Sequence, residues 1–387
     1  MITIYLVTQT YFNNRDKKRF GLNYFLNKNY KVIVIDVQEY INPELNYLQK
    51  PLYENHNNLE VVYCNNFKKI KTSVKTMNNS IAILFLPENF KAIKIKKYLQ
   101  GNNIKIGIWH GGMIPSVSLD KTLYTKIVHK VSQLNIESSI FFLFNKIYVK
   151  LFNISNYDFL ITSNYKVSQR NYNIPKPLNI IETHCFDYDL IIENRKYKNN
   201  IDQQYIVFLD QNLIDHTDFI TAKDNINISS QKYFNELNDY FLILEEKTGC
   251  SVIISAHPRA DIKNYKILFK GRKIVCGETE SLVKHCKFVI TNHSTAINFA
   301  VIFNKPIIFF TNNDLKKHDF NNLAVKLSIL LNQKYINISD AIDVKDVKDV
   351  KSNINSYKNY KENFIKKNNI ELFSYEIFDN EYIKKMI

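Results

Sequence analysis

Two polar clusters stand directly after apolar runs in the second half of the chain. The cluster HPR at 257–259 ends the run CSVIISA, and the cluster HST at 293–295 follows KFVIT and precedes INFAVIF. Short apolar runs are typical of buried strands, and ligands of open α/β sheets bind outside the carboxyl ends of the strands. The two clusters therefore predict one phosphate-bearing ligand that is held from two sides.

The HPR cluster offers a histidine and an arginine for contact with a phosphate. Pro258 cannot continue a strand ladder and favours an extended conformation at His257, so the strand is predicted to end there. His257 can then donate to a phosphate oxygen, and Arg259 can add a bidentate, permanently charged contact. We assign His257 a catalytic role and Pro258 and Arg259 a donor-binding role. The alternative is a plain turn in which the histidine only ends the strand.

The HST cluster supplies hydroxyl and amide groups where a helix over 294–303 is predicted to begin. Ser294 and Thr295 are favourable N-cap residues, and a helix N-terminus favours anions. A plain helix cap would use the same side chains, so capping and phosphate binding are compatible. We place His293, Ser294 and Thr295 in the donor-binding site.

In the first half of the chain, the segment IGIWHGG ends with the only tryptophan, a histidine and two glycines. Gly111 and Gly112 indicate a tight turn or a close approach of the backbone to a ligand. His110, at the predicted end of a strand, can take a proton from an acceptor hydroxyl. His110 is thus a candidate catalytic base and the glycines are candidate acceptor contacts. The alternative is a Gly-Gly turn in which His110 has no chemical role.

A second candidate base lies in the segment FLDQNLIDHTDF at 208–219. Asp210 stands at a predicted strand end, with Gln211 beside it and Asp215 in the following loop. A carboxylate here can act as a general base or hold the hydroxyls of an acceptor sugar. His110 and Asp210 therefore remain alternative catalytic bases, and Gln211 and Asp215 are candidate acceptor or loop contacts.

The remaining polar residues give weaker signals. Glu278 can reach a ribose from a loop before a helix, although an acid there also suits the helix dipole. His184 is interpreted as a packing residue near a domain boundary. Because the sequence has no metal-ligand spacing, we predict no metal site, and cationic and dipolar groups are expected to stabilise the leaving phosphate.

These residues require a scaffold of alternating strands and helices. Strand-like runs such as ITIYLVTQ, KVIVIDV and SIAILFLP alternate with helical segments, one of them over 16–29, and a second set begins at YIVFLDQ. This alternation predicts βαβ units and parallel sheets. The polar segment 193–204 lacks periodicity, so we predict an N-terminal domain over 1–192 and a C-terminal domain over 205–387.

Composition and charge limit the class of protein. The 387 residues, of which 45% are hydrophobic and 23% charged, are typical of a globular protein with two domains. The net charge of +15 suits a phosphate-rich substrate, an anionic membrane surface or nucleic acid. Because no nucleic-acid-binding signature is present, no nucleic-acid partner is expected.

Three further features predict a cytoplasmic protein. The N-terminus lacks a secretory signal, and no apolar span is long enough to cross a bilayer. The five cysteines lack CxxC spacing and are interpreted as reduced core residues. The basic, aromatic and amphipathic region 120–154 favours a peripheral position at the anionic inner-membrane surface.

The Trp-His-Gly loop, the His-Pro pair and the Ser/Thr-opened helix followed by KPIIFF resemble GT-B glycosyltransferases of bacterial surface polysaccharide synthesis. This resemblance implies an α/β fold with two Rossmann-like domains that face each other across a cleft. The DQ strand end and the HSTA segment resemble the transferases of CMP-activated ulosonic acids, which are the sialyl-, polysialyl- and Kdo-transferases. In those enzymes the His-Pro motif and a Ser/Thr cluster hold the CMP phosphate.

Residues 109–111 resemble a second branch, the CDP-glycerol glycerophosphotransferases of teichoic acid synthesis, whose motif contains a proposed histidine base. That branch carries Asp-Tyr-Ser-Ser where this chain has Asn-His-Ser-Thr at 292–295. The resemblance implies a nucleotide-sugar donor, CMP-linked and used as a substrate, a glycan or lipid-linked acceptor, and no cofactor. A CDP-glycerol-type transferase is the alternative. A non-catalytic basic protein that binds polyanions or membranes is the alternative from another class.

Overall fold

The chain folds into two α/β units, each built around a sheet of parallel strands. A computed structural model describes residues 1–45, 50, 56–74, 79–87, 89–111, 157–172, 177–194, 205–213, 228–318, 321–340, 350–366 and 371–386. Of these, residues 1–111, 157–183 and 372–386 form the N-terminal unit, and residues 184–371 form the C-terminal unit.

In the described part of the N-terminal unit, seven parallel strands follow the order β3-β2-β1-β4-β5-β6-β7. The order reverses between β1 and β4, as it does in doubly wound nucleotide-binding sheets. The strands are β1 Thr3–Thr8, β2 Lys31–Asp36, β3 Leu59–Tyr63, β4 Ser80–Phe85, β5 Lys105–His110, β6 Phe159–Thr162 and β7 Asn179–Glu182.

In the described part of the C-terminal unit, six parallel strands follow the order β10-β9-β8-β11-β12-β13. Here the order reverses between β8 and β11, so the carboxyl ends of β9, β8 and β11 lie side by side. The strands are β8 Tyr205–Leu209, β9 Ser251–Ala256, β10 Ile274–Cys276, β11 Val289–Thr291, β12 Ile307–Thr311 and β13 Lys334–Asn337.

In the connections that the structure describes, helices lie between successive strands, as the alternation in the sequence predicted. The described α-helices are α1 Asn14–Arg19, α2 Leu22–Asn27, α3 Gln38–Ile41, α4 Phe67–Ser73, α5 Phe90–Gly101, α6 Tyr165–Tyr172, α7 Phe186–Asn194, α8 Ser230–Thr248, α9 Ile262–Leu268, α10 Thr279–His285, α11 Ile297–Ile302, α12 Asn321–Leu331, α13 Ile354–Tyr360 and α14 Ser374–Glu381. Single turns of 3₁₀-helix lie at Pro43–Leu45, Leu315–Lys317 and Ile383–Met386, and a π-helical turn lies at Lys361–Ile365.

The central strand β8 is buried on both faces, which is why it is apolar throughout. All residues of Tyr205–Leu209 are buried, and Phe208 packs against Phe241 and Phe310 with ring centroids 5.2 and 5.9 Å away. Parallel sheets that are covered by helices on both faces need such unbroken apolar strands. The parallel α/β architecture predicted from the sequence is thus confirmed.

The single helix predicted over 16–29 is wrong, because the structure divides it into α1 and α2. The break lies at Gly21, whose φ of +61° is left-handed. The ring of Tyr375 occupies the space that a Cβ atom at Gly21 would need. Glycine therefore provides both the backbone conformation and the close approach of the ring.

The two units differ from the predicted division into 1–192 and 205–387. Helix α14 belongs to the N-terminal unit, where the Phe378 ring lies 5.9 Å from Trp109 and 5.4 Å from Phe159. Helix α7 belongs to the C-terminal unit, because Asp187 accepts a 2.8 Å hydrogen bond from the side chain of Asn298. These contacts join segments that are far apart in the sequence, so local patterns could not indicate them.

Some predicted features lie outside the described residues: Gly112, the amphipathic region 120–154, most of the boundary segment 193–204, and Asp215. Among the described residues, no helix is long and apolar enough to cross a membrane.

Candidate functional site

Three neighbouring strands of the C-terminal unit are each followed directly by polar residues, most of which the sequence predicted to lie in a site. Asp210 follows β8, His257 follows β9 and Asn292-His293 follows β11. Strand β8 lies between the other two, so the three segments share the sheet edge at which the strand order reverses. This edge is where ligands of doubly wound sheets bind.

Asp210 ties the β8 and β9 ends together. Its Oδ2 accepts hydrogen bonds of 3.0 Å from the backbone N–H of His257 and from the Tyr265 hydroxyl. Its Oδ1 accepts a 3.0 Å bond from the backbone N–H of Asn212. The side chain is buried, and this burial raises its pKa. With both oxygens engaged inside the protein, Asp210 is better suited to positioning the His257 turn than to the predicted role of a general base.

Tyr265 of helix α9 completes this arrangement. Its hydroxyl also lies 2.9 Å from the side-chain oxygen of Asn212, whose φ of +51° is left-handed. The residue is 3% exposed, so these contacts are shielded from solvent. Sequence reasoning missed Tyr265, because a tyrosine in the polar-apolar pattern of a helix looks like any other core residue.

His257 sits in a tight turn between β9 and α9. Its Nδ1 accepts a 3.3 Å hydrogen bond from the backbone N–H of Arg259, and its carbonyl accepts one of 2.9 Å from Ala260. The histidine is half-buried, whereas Pro258 and Arg259 are exposed. The predicted end of the strand at His257 is confirmed, since β9 ends at Ala256.

The β11 end is anchored to β8 and β12. The Gln211 side-chain oxygen accepts a 3.0 Å hydrogen bond from the backbone N–H of His293. Asn292 is fully buried, and its amide donates to the Phe310 carbonyl at 2.7 Å. The Asn292 side-chain oxygen contacts Nδ1 of His293. The sequence predicted site roles for His293 and Gln211 but none for Asn292, although its place beside His293 was a usable signal.

The predicted helix start at Ser294 or Thr295 is wrong. Helix α11 begins at Ile297, and the residue before it, Ala296, provides no side-chain cap. The Ser294 hydroxyl accepts from the Ala296 backbone N–H at 3.2 Å, and the Ser294 N–H donates to the Thr291 hydroxyl at 3.3 Å. These bonds stabilise a turn ahead of the helix. Ser294 is half-buried and Thr295 is exposed, so their hydroxyls lie in a loop.

Glu278 lies farther from the reversal point. It follows β10, the edge strand, which β9 separates from β8. The residue is exposed and directly precedes helix α10, and Gly277 before it has a φ of +86°. Its assignment to the donor site stays a prediction.

His110 is the last residue of β5 in the N-terminal unit, where the sequence predicted a strand end. Its half-buried position lowers its pKa, which favours the neutral imidazole that a proton acceptor needs. Trp109 before it is buried, 5.5 Å from the Phe20 ring. His184 is buried against the Tyr188 ring at 4.9 Å, in agreement with its interpretation as a packing residue.

A buried polar pair that was not predicted from the sequence lies at the carboxyl ends of β1 and β2. Thr8 and Asp36 are register neighbours and are 4% and 2% exposed. Among the described residues, neither the Thr8 hydroxyl nor Oδ2 of Asp36 has a hydrogen-bond partner. Burial raises the pKa of Asp36 to about 6. The aspartate at the end of KVIVIDV was the signal for this pair.

Four of the cysteines are buried, in agreement with core residues, while Cys276 at the end of β10 is exposed. Among the described residues, no group of three or more His, Cys, Asp or Glu side chains is arranged to hold a metal ion. The mechanism without a metal stays a prediction.

The sequence matches no protein-family profile and no curated protein. Its fold is similar to that of a variant of the wall teichoic acid polymerase TagF, with a TM-score of 0.54 and 14% identity over 99% of this chain and 89% of that chain. It is also similar to the glycotransferase of kitacinnamycin, with a TM-score of 0.51 and 7% identity over 99% of this chain and 98% of that one.

The two parallel-sheet units and these likenesses define the fold class. The chain has the GT-B fold with two Rossmann-like α/β units, as the resemblance implied. At such low identity the likeness concerns the fold, and it leaves function to the site.

Proposed function

We propose that this protein is a GT-B glycosyltransferase that uses a nucleotide-activated donor in the synthesis of a cell-surface glycan. One observation carries the proposal: the segments with Asp210, His257 and His293 share the sheet edge where the strand order reverses. The GT-B fold and its likeness to a wall teichoic acid polymerase support a role in surface polymer synthesis.

The residues have the following proposed roles. His257 and Arg259, with the hydroxyls of Ser294 and Thr295, bind the donor phosphate and stabilise the charge that builds up on the leaving nucleotide. Asp210 positions the His257 turn through the hydrogen bond to its backbone. His110, whose pKa is lowered by burial, is the better of the two candidate bases for the acceptor hydroxyl.

The proposed donor is CMP-linked, and the transferred group is a sialic-acid-like ulosonic acid. CDP-glycerol is the second candidate, because the Trp-His-Gly segment resembles the CDP-glycerol enzymes and the fold is similar to that of a teichoic acid polymerase. Both donors contain cytidine, so both predict a preference for cytidine nucleotides over other nucleotides.

A thermal-shift titration with CMP, CDP, UDP and GDP tests the donor. We expect CMP or CDP to raise the midpoint of unfolding and His257→Gln to abolish the rise. His285→Gln is the matched control, because His285 lies at the end of helix α10 and bonds its own helix at Ser281. Absence of a shift with every nucleotide would refute the donor site, and a preference for UDP or GDP would refute the cytidine assignment.

The acceptor is proposed to be a glycan or lipid-linked glycan at an anionic membrane surface. The net charge of +15 supports this proposal, since basic proteins are attracted to anionic lipids. Reversal of the basic charges in 120–154 should release the protein from anionic vesicles and lower its activity on a lipid-linked acceptor. Loss of activity without loss of vesicle binding would count against this role.

A further inference from the structure

The two histidines of the site are held in opposite tautomers. At His257, Nδ1 accepts from the backbone N–H of Arg259 at 3.3 Å. A backbone N–H can only donate, so this nitrogen must carry the lone pair. The proton of the neutral His257 ring is therefore on Nε2.

At His293 the proton is on the other nitrogen. The carbonyl of Phe310 can only accept, so the Asn292 group that faces it at 2.7 Å is the amide nitrogen. This leaves the Asn292 oxygen facing Nδ1 of His293. Because an amide oxygen accepts, Nδ1 must donate, and the lone pair of the neutral His293 ring is on Nε2.

The orientation of Asn292 is supported by residues behind it. Its amide nitrogen also lies 3.4 Å from the side-chain oxygen of Asn321. The Asn321 amide donates in turn to the Tyr335 hydroxyl at 3.0 Å. Asn292 is fully buried and Asn321 is 5% exposed, so reversing the Asn292 amide would break buried hydrogen bonds.

Opposite tautomers suit different ligand groups. Phosphate oxygens accept hydrogen bonds, so they match the Nε2–H of His257. A hydroxyl can donate, so it matches the lone pair on Nε2 of His293. We propose that His293 accepts a hydrogen bond from a hydroxyl of the bound substrates, with Asn292 as its positioning residue. This inference rests on the proposed function and gives His293 a role other than the phosphate contact expected from the sequence.

The hydroxyl can come from two sources, which are the ribose of the nucleotide and the acceptor of the transfer reaction. A ribose hydroxyl would make His293 a specificity residue for ribonucleotides. An acceptor hydroxyl would make it a catalytic residue that receives or orients the transferred proton.

The tautomers can be measured without a substrate. In the full chain labelled with ¹⁵N-histidine, imidazole nitrogen shifts are recorded at a pH where the rings are neutral. The chain contains its own references: Nδ1 of His56 accepts from the Asn58 N–H at 3.1 Å, and Nδ1 of His285 faces the Ser281 carbonyl at 3.0 Å. We expect His257 to match His56 and His293 to match His285. A His293 spectrum with the proton on Nε2 would overturn the proposal.

Variants of Asn292 test its positioning role. Asn292→Leu removes the acceptor and should shift His293 toward the other tautomer, whereas Asn292→Asp keeps an acceptor and should retain the proton on Nδ1. An unchanged tautomer in Asn292→Leu would contradict the assignment. If that variant does not fold, the spectrum of the wild-type chain still decides the tautomer.

Ligand titrations with wild type and His293→Ala identify the hydroxyl. If it belongs to the ribose, wild type should bind CMP about tenfold more tightly than 2′- or 3′-deoxy-CMP, and the variant should not discriminate. If it belongs to the acceptor, nucleotide affinities should stay equal while kcat falls by about 10²-fold or more. If neither the nucleotide affinities nor kcat change in a folded His293→Ala variant, the proposal is refuted. If wild type binds no nucleotide, the proposed function fails, and the imidazole spectra still report on the tautomers.

Discussion

At the scale of single residues, the buried carboxylates of the two units have different contacts. Asp210 receives hydrogen bonds from His257, Asn212 and Tyr265. These bonds lower its pKa, but burial has the larger effect and raises it. Asp36 accepts from the backbone N–H of Gln38 on one oxygen at 3.0 Å, while the other oxygen has no partner among the described residues. A buried carboxylate with an unpartnered oxygen reduces stability when it is ionised.

The pH dependence of stability tests this view of Asp36. Its pKa is raised from 3.8 to about 6, so the folded state holds a proton that the unfolded chain releases between these values. Stability is greatest below the lower value and falls as pH rises from there through about 6. The total loss is roughly 3 kcal/mol for a pKa difference of about two. Asp36→Asn should therefore be more stable than wild type at neutral pH and no more stable below the unfolded pKa, as measured by urea denaturation. The exposed Asp340→Asn is the control, and an equal gain in that variant would contradict the argument.

His110 gives a prediction on catalysis. Burial lowers its pKa, so the imidazole stays neutral at pH values where an exposed histidine takes up a proton. If it is the base, kcat/KM should fall on the acid side with a midpoint below the ordinary value of about 6.5. His110→Gln should abolish this limb of the pH profile along with most of the activity. A limb that persists in the variant would assign the base to another residue.

The site residues were predictable where a reactive side chain stands beside a proline or glycine that marks the end of a strand. His257 stands before a proline after an apolar run, and this local signal located it. Tyr265 and Asn292 lack such a signal, because their importance depends on neighbours contributed by other strands. The hydrogen bonds of Asp210 and His293 favour roles that differ from the predicted ones.

At the scale of elements, asparagine takes the left-handed position after several helices of a chain with only eight glycines. Asn103, Asn304 and Asn332 have φ of 57°, 54° and 48°. In each case the next residue donates its backbone N–H to a carbonyl of the last helical turn. This is the hydrogen-bond pattern of a Schellman cap, in which asparagine can replace glycine.

Asn304, after helix α11, tests the cap. Asn304→Ala should lower the free energy of unfolding by about 1 kcal/mol, because an alanine is strained at positive φ. Asn304→Gly keeps the conformation accessible and should change stability by much less. Chemical denaturation of both variants measures the difference. Equal losses would show that the asparagine side chain, rather than the backbone conformation, stabilises the cap.

At the scale of the whole molecule, the last described segment returns to the N-terminal unit. The hydroxyls of Tyr24 and Tyr30 each donate to the fully buried carboxylate of Asp379 at 2.8 Å. Phe378 and Tyr382 pack on Phe159, with ring centroids 5.4 and 4.7 Å away. The N-terminal unit is thus completed by residues from the far end of the sequence.

Removal of this segment should destabilise the N-terminal unit selectively. In a variant that lacks 372–387, calorimetry should show the unfolding of one unit at a lower temperature, with the other transition little changed. Phe378→Ala, which leaves a cavity in the same place, should act in the same direction and cost about 3–5 kcal/mol. Equal lowering of both transitions would show that the segment stabilises more than its own unit.

The sequence by itself determined the parallel α/β architecture, because strands buried on both faces must be apolar and helices must cover them. It also determined the strand ends that carry His110 and His257, since each histidine is followed directly by a glycine or a proline, which ends the strand. Only the tertiary structure decided the order of the strands, the return of helix α14 and the partners of Asp36, Asp210 and His293. These features depend on contacts between distant segments, and no local pattern of residue types encodes which segments become neighbours.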